Sequence, residues 1–81
     1  MRLPRDLSGI DLSKALGRLG YRVTRQVGSH MRLTRAAGDI HQHITIPRHN
    51  YLKVGTLNSI LKEVAEHTGL SRKELLQMLF G

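Results

Sequence analysis

The stretch "RVTRQVGSHMRLTRAAGDIHQHITIP", residues 22–47, alternates apolar and polar side chains almost throughout. Together with the preceding Tyr21, Val23 opposes Arg22, Thr24 and Gln26. After Gly28, Met31 and Leu33 oppose His30, Arg32 and Thr34. After the glycine-containing turn "AAGD", residues 36–39, Ile40, Ile44 and Ile46 oppose His41, His43 and Thr45 until Pro47 ends the run. A period of two places successive side chains on opposite faces of a sheet, so the stretch predicts three half-buried strands joined by two short turns.

Helical spacing brackets this meander. Ser8 and Asp11 form a capping-box-like start, Leu12, Ala15, Leu16 and Leu19 make an apolar stripe, and Gly20 supplies a left-handed stop, which predicts a helix over about residues 8–19. The segment "RHNYLKVG", residues 48–55, is read as a loop whose Tyr51, Leu52 and Val54 tuck under the core. Thr56 is the expected N-cap of a second helix carrying Leu57, Ile60, Leu61, Val64 and Ala65, with Gly69 closing it. Ser71 and Glu74 form a capping box, with Leu70 and Leu75 as a hydrophobic staple, for a short third helix.

The order α-β-β-β-α-α is that of a small α+β domain, a three-stranded antiparallel sheet with its helices on one face, spanning residues 1–81 as a single unit. The other sheet face is expected to stay open and to carry Arg22, Thr24, Gln26, His30, Arg32, Thr34, His41 and His43.

Composition limits what such a chain does. At 81 residues it buries one modest core, and the lack of cysteine excludes a disulfide framework and cysteine-based zinc sites. No apolar run is long enough to span a membrane and the start "MRLPRDLSG" lacks the apolar centre of a signal peptide, so a soluble, cytoplasmic protein is expected. The net charge is +7, and residues 1–55 carry ten Lys or Arg against three acids, whereas residues 56–81 carry three of each. Excess positive charge confined to the part that forms the sheet favours a polyanionic partner, either nucleic acid or an acidic protein.

Strand aromatics that would stack bases are lacking, since Tyr21, Tyr51 and Phe80 are the only aromatic side chains besides histidine. Arg and His on a sheet instead suit phosphate and 2′-hydroxyl contacts that recognise backbone shape. His30 stands out because Gly28 permits close backbone approach and Ser29 offers a hydroxyl and an amide beside the imidazole. His41 and His43, with His30, also suggest a metal set, but their charged neighbours are arginines rather than orienting carboxylates. Neither a "GxSxG" nucleophile elbow nor a phosphate-binding glycine loop is present.

The order of helix, "GYRVTRQVGSH" (20–30), "HITIPRHN" (43–50) and "GTLNSILKEVAEHTGLSRKELL" (55–76) resembles the HicA toxins, also called the YcfA family, over nearly the whole chain. The most specific parts are "GSH" (28–30), "IPRH" (46–49) and "GTLNSILK" (55–62). The resemblance implies a double-stranded-RNA-binding-domain-like fold, mRNA interferase activity without a cofactor, and neutralisation by a HicB-type antitoxin. It places the catalytic histidine on His30 and leaves the role of His49 open. RNA contacts are expected from Arg22, Gln26, Gly28, Ser29, Arg32, His41 and His43, with His41, His43 or water as a second proton-transfer group. Two other readings share the fold: an RNA-binding module that does not cut, and a domain whose basic face docks an acidic protein.

Overall fold

The computed structural model describes residues 3–4 and 6–81. Helix α1 (Gly9–Leu16) starts where the Ser8 hydroxyl accepts the Asp11 amide at 2.9 Å. It tightens into a 3₁₀ turn over Gly17–Leu19 before Gly20, at φ +92°, ends it. The expected helix over residues 8–19 is therefore an α-helix with a 3₁₀ last turn, a common way to satisfy terminal carbonyls.

Strands β1 (Tyr21–Val27), β2 (His30–Ala37) and β3 (Ile40–Pro47) form an antiparallel meander in the order β1-β2-β3. Both turns are two-residue loops with glycine first, Gly28-Ser29 and Gly38-Asp39, closed by the pairs Val27–His30 and Ala37–Ile40. Gly28 at φ +58° and Gly38 at φ +62° occupy the left-handed region that such hairpins require at the first loop position.

Register in β2–β3 is regular, but β1–β2 contains a bulge. Tyr21, Arg22 and Val23 pair with Arg35, Thr34 and Leu33, after which Arg25, Gln26 and Val27 pair with Arg32, Met31 and His30. Thr24 is the extra residue. One inserted residue reverses the alternation beyond it, so every later β1 side chain changes face relative to a regular strand.

The core lies between the sheet and the helices. Tyr21, Met31, Leu33, Ile44 and Ile46 supply its sheet side, all buried. Leu12 and Leu16 of α1 and Leu57, Ile60, Leu61 and Val64 of α2 (Val54–Thr68) close over them. Helix α2 begins at Val54 with Lys53 as an N-cap that makes no side-chain bond, so its cap lies three residues before the expected Thr56. Leu52 is buried, while Tyr51 and Val54 stay exposed at 61% and 67%, a partial correction to the expectation that all three tuck inward. Val23 and Ile40, expected inside, are 48% and 66% exposed. Both sit at the sheet margin, one on an edge strand beside the bulge and one at a hairpin.

Helix α3 (Arg72–Phe80) has the full capping box, Ser71 Oγ accepting the Glu74 amide at 3.1 Å and Glu74 Oε1 accepting the Ser71 amide at 3.0 Å. These bonds hold the Glu74 carboxyl below its ordinary pKa. It buries Leu75, Leu76 and Leu79, and Arg18 Nη1 donates to its Met78 and Leu79 carbonyls, a cation at the negative end of the helix. The third helix thus completes the core from behind α1 and α2. The α+β class and the helices on one face agree with the fold that the resemblance implies.

A candidate nucleic-acid interface on the open sheet face

Register assigns each polar strand residue to a face. On the open side the rows are Val27–His30–Pro47, Arg25–Arg32–Thr45, Arg22–Thr34–His43 and Ala36–His41. The expected Arg22, His30, Arg32, His41 and His43 are all there and exposed. Gln26 is not. The bulge puts it opposite Met31 on the helix side, where its amide donates to the Gly28 carbonyl at 3.3 Å. Arg25 takes the open-face place instead, a residue that alternation alone assigns to the core side.

None of the six acidic residues lies in a strand: they occupy turns, α1, α2 and α3. The open face is therefore cationic without internal neutralisation. Arg35, the fourth strand arginine, is spent on structure, donating to Leu19 O at 2.8 Å and to Gln42 Oε1 at 2.7 Å beside the end of α2. Nearby, the Tyr21 hydroxyl bonds His67 Nδ1 at 2.8 Å, and burial pushes the phenol up to about 12. These groups fasten the sheet to α2 and do not reach the open face.

A hydroxyl ladder crosses the open face: Thr24 Oγ1 lies 2.7 Å from Thr34 Oγ1, which lies 3.0 Å from His43 Nδ1. The His43 imidazole is held below the ordinary histidine pKa, first by desolvation and then by Arg32, His41 and His67. It is a neutral hydrogen-bonding group near pH 7 rather than a standing cation.

His30 opens β2 directly after the Gly28-Ser29 turn, so the turn chemistry fixes its place at the end of the sheet. Gly28 serves the hairpin geometry itself. His43 and His41 lie opposite Thr34 and Ala36, four and six residues along β2, which is about 13 and 20 Å from His30 at a strand rise of about 3.3 Å per residue. Both stand apart from His30 along the open face, whereas the expected second proton-transfer group is either of them or water. Among the described residues, no three His, Asp or Glu side chains are grouped so as to hold a metal ion.

Beyond Pro47 the chain continues the ladder. The Arg48 amide donates to Ser29 O, the Gly9 amide donates to His49 O at 3.0 Å, and the Leu52 amide donates to Leu7 O at 2.7 Å. Gly9 packs so closely that a Cβ there would lie 2.0 Å from Pro47 O. Arg48, His49 and Asn50 are consequently fixed in backbone yet exposed in side chain, and they line two open grooves of about 600 and 670 Å³. The larger is shared with Gln26, Gly28 and Ser29. No periodicity marks this loop; the "IPRH" motif (46–49) of the resemblance is the sequence signal that reaches it.

The family described as "HicA toxin of bacterial toxin-antitoxin" matches residues 9–65, more than two thirds of the chain. The matched span holds α1, the whole sheet and most of α2, and α3 lies outside it. No curated protein and no solved structure matches the chain.

Proposed function

Because the chain belongs to the HicA toxin family of toxin–antitoxin systems, we propose that it is an endoribonuclease that cuts mRNA in the cytoplasm without a metal. The observation that carries this reading is the acid-free cationic face that begins at His30 and runs through Arg25, Arg32 and Arg22. Arginines in rows along antiparallel strands meet the phosphates of one RNA strand, and because Tyr21, the strand aromatic, is buried in the core, the open face favours backbone contact over base stacking.

The reaction is attack of a ribose 2′-oxygen on the adjacent phosphorus. The P–O2′ bond forms, the P–O5′ bond breaks, and the products are a 2′,3′-cyclic phosphate and a 5′-hydroxyl. His30 transfers one of the two protons, a task typically worth about 10² to 10⁴ in rate, while Arg32 and Arg25 stabilise the charge gathered on the phosphorane. DNA lacks the nucleophile and survives.

Incubation of the purified protein with end-labelled mRNA in EDTA tests the reading. Cleavage with cyclic-phosphate ends is expected; binding without cleavage makes the protein an RNA-binding module, and no affinity for RNA makes it a protein-docking domain. A cognate antitoxin, of HicB type in this proposal, covers the same face, since a surface that attracts phosphates also attracts carboxylates. A complex in which the antitoxin sits only on α2 and α3, with His30 open to solvent, contradicts that part.

A further inference from the structure

We propose that His49 is the second proton-transfer group, acting with His30 on opposite sides of the scissile phosphate. The inference rests on the endoribonuclease reading and adds to it the partner that the chemistry demands. Transesterification needs a base at the 2′-oxygen and an acid at the departing 5′-oxygen, and these stand on opposite sides of phosphorus. One imidazole does not serve both at once.

Position selects among the other four histidines. His41 and His43 lie too far along β2, and His67 is on the helix side with its Nδ1 bonded to Tyr21. His49 is different. The Arg48–Ser29 bond keeps the chain on the course of β3 for one residue past Pro47, the cross-strand partner of His30. Two residues at about 3.3 Å and one cross-strand step of about 5 Å then put the Cα of His49 about 8 Å from that of His30. His30 opens β2 and His49 follows the end of β3, so both histidines lie at the same end of the sheet.

The surroundings also suit a proton-transfer role. The His49 carbonyl is held by the Gly9 amide, and the close packing of Gly9 on Pro47 fixes the loop from beneath. The imidazole itself is exposed and makes no hydrogen bond among the described residues. A fixed backbone presenting an unengaged side chain to a groove is how a reacting group is oriented without being consumed by structure. Arg48 and Ser29 supply further donors for non-bridging oxygens in the same groove, which the Asp11 carboxylate of α1 also lines.

The test compares the wild type with His30→Ala, His49→Ala and His49→Gln on two substrates: an ordinary RNA oligonucleotide, and one whose scissile 5′-oxygen is replaced by sulfur. A thiolate leaves without a proton, so loss of the acid no longer matters on the sulfur substrate. His49→Ala and His49→Gln are expected to lower kcat by about 10²-fold or more on the ordinary RNA, with RNA affinity and circular dichroism unchanged. Sulfur is expected to restore only one of the two alanine variants, which identifies the acid, and each variant is expected to lose one limb of the bell-shaped pH profile. The proposal is overturned if His49→Ala cuts within a few-fold of the wild-type rate, if its defect lies wholly in RNA affinity, or if sulfur restores both variants or neither. A wild-type protein that does not cut RNA overturns the endoribonuclease reading itself, a distinguishable failure because it precedes any comparison of variants.

Discussion

Arg25 and Arg32 face each other directly across the first two strands, on the side of the sheet that bears no acid. Like charges in opposed positions destabilise a sheet by a few tenths of a kcal/mol up to about 1, so this pair costs stability in the free protein and is relieved when an anion binds between them. Arg25→Thr is therefore expected to raise the melting temperature by a few degrees while weakening RNA binding. The measurement pairs thermal melts with a salt titration of single-stranded RNA affinity. If about four or five phosphates are neutralised, the wild-type logarithmic slope is near −3, and the variant loses about 0.7 of it. A slope near zero in the wild type removes the interface from this face.

Replacing His30 by alanine separates chemistry from binding. The residue is exposed at a hairpin end and leaves no core cavity when truncated. The variant is expected to lose RNA cleavage and growth inhibition, to keep its melting temperature within a few degrees, and to keep most of its RNA affinity. Melting, affinity and cleavage measured side by side decide the matter: an unfolded variant makes His30 structural, and wild-type cutting removes its catalytic role.

The strand order and both glycine-first hairpins were legible because alternation and turn chemistry act locally. The bulge at Thr24 was not. Nothing in "RVTRQV" distinguishes a regular strand from one with an inserted residue, since arginine, threonine and glutamine are tolerated on either face of an edge strand, and the exchange of Gln26 for Arg25 followed from that single insertion. The loop at Arg48–Asn50 was opaque for another reason: its place is set by contacts with residues some forty positions earlier, Gly9 and Leu7, which no local pattern encodes. The early start of α2 has no side-chain cap to mark it in the sequence, so Thr56 lies inside the helix instead of at its cap.

Gly9 is the point at which that long-range packing is most exposed to test. A methyl group there would sit 2.0 Å from Pro47 O, and backbone on both sides leaves little room to yield. Gly9→Ala is expected to destabilise the fold by about 1–3 kcal/mol, the usual cost of overpacking, despite the better helix propensity of alanine. Denaturant unfolding measures the loss. A neutral or stabilising result shows that α1 and the Arg48–Asn50 loop can move apart, and with it that His49 is not held in place.

The ladder Thr24–Thr34–His43 gives the open face a pH dependence whose sign is fixed. His43 has its pKa lowered in the folded protein, so between that value and the ordinary 6.5 the unfolded chain binds more protons than the folded one. Stability from this group is therefore complete above pH 6.5 and declines as the pH falls through the unfolded and then the folded value. His43→Gln keeps a hydrogen-bonding group opposite Thr34 and removes the titration, so its melting temperature is expected to fall less than that of the wild type over the same acid range. Binding runs the other way: protonation of His43 adds a cation beside Arg32, and phosphates favour the charged form. RNA affinity of the wild type is thus expected to rise on acidification while its stability falls, and both trends are expected to weaken in His43→Gln. Melting temperature and RNA affinity measured at pH 7.5 and at about pH 5.5 for both proteins check the pair of signs. Equal responses in wild type and variant mean that His43 is not the titrating group, and a wild-type affinity that falls on acidification means that the RNA does not lie over the Thr34–His43 row.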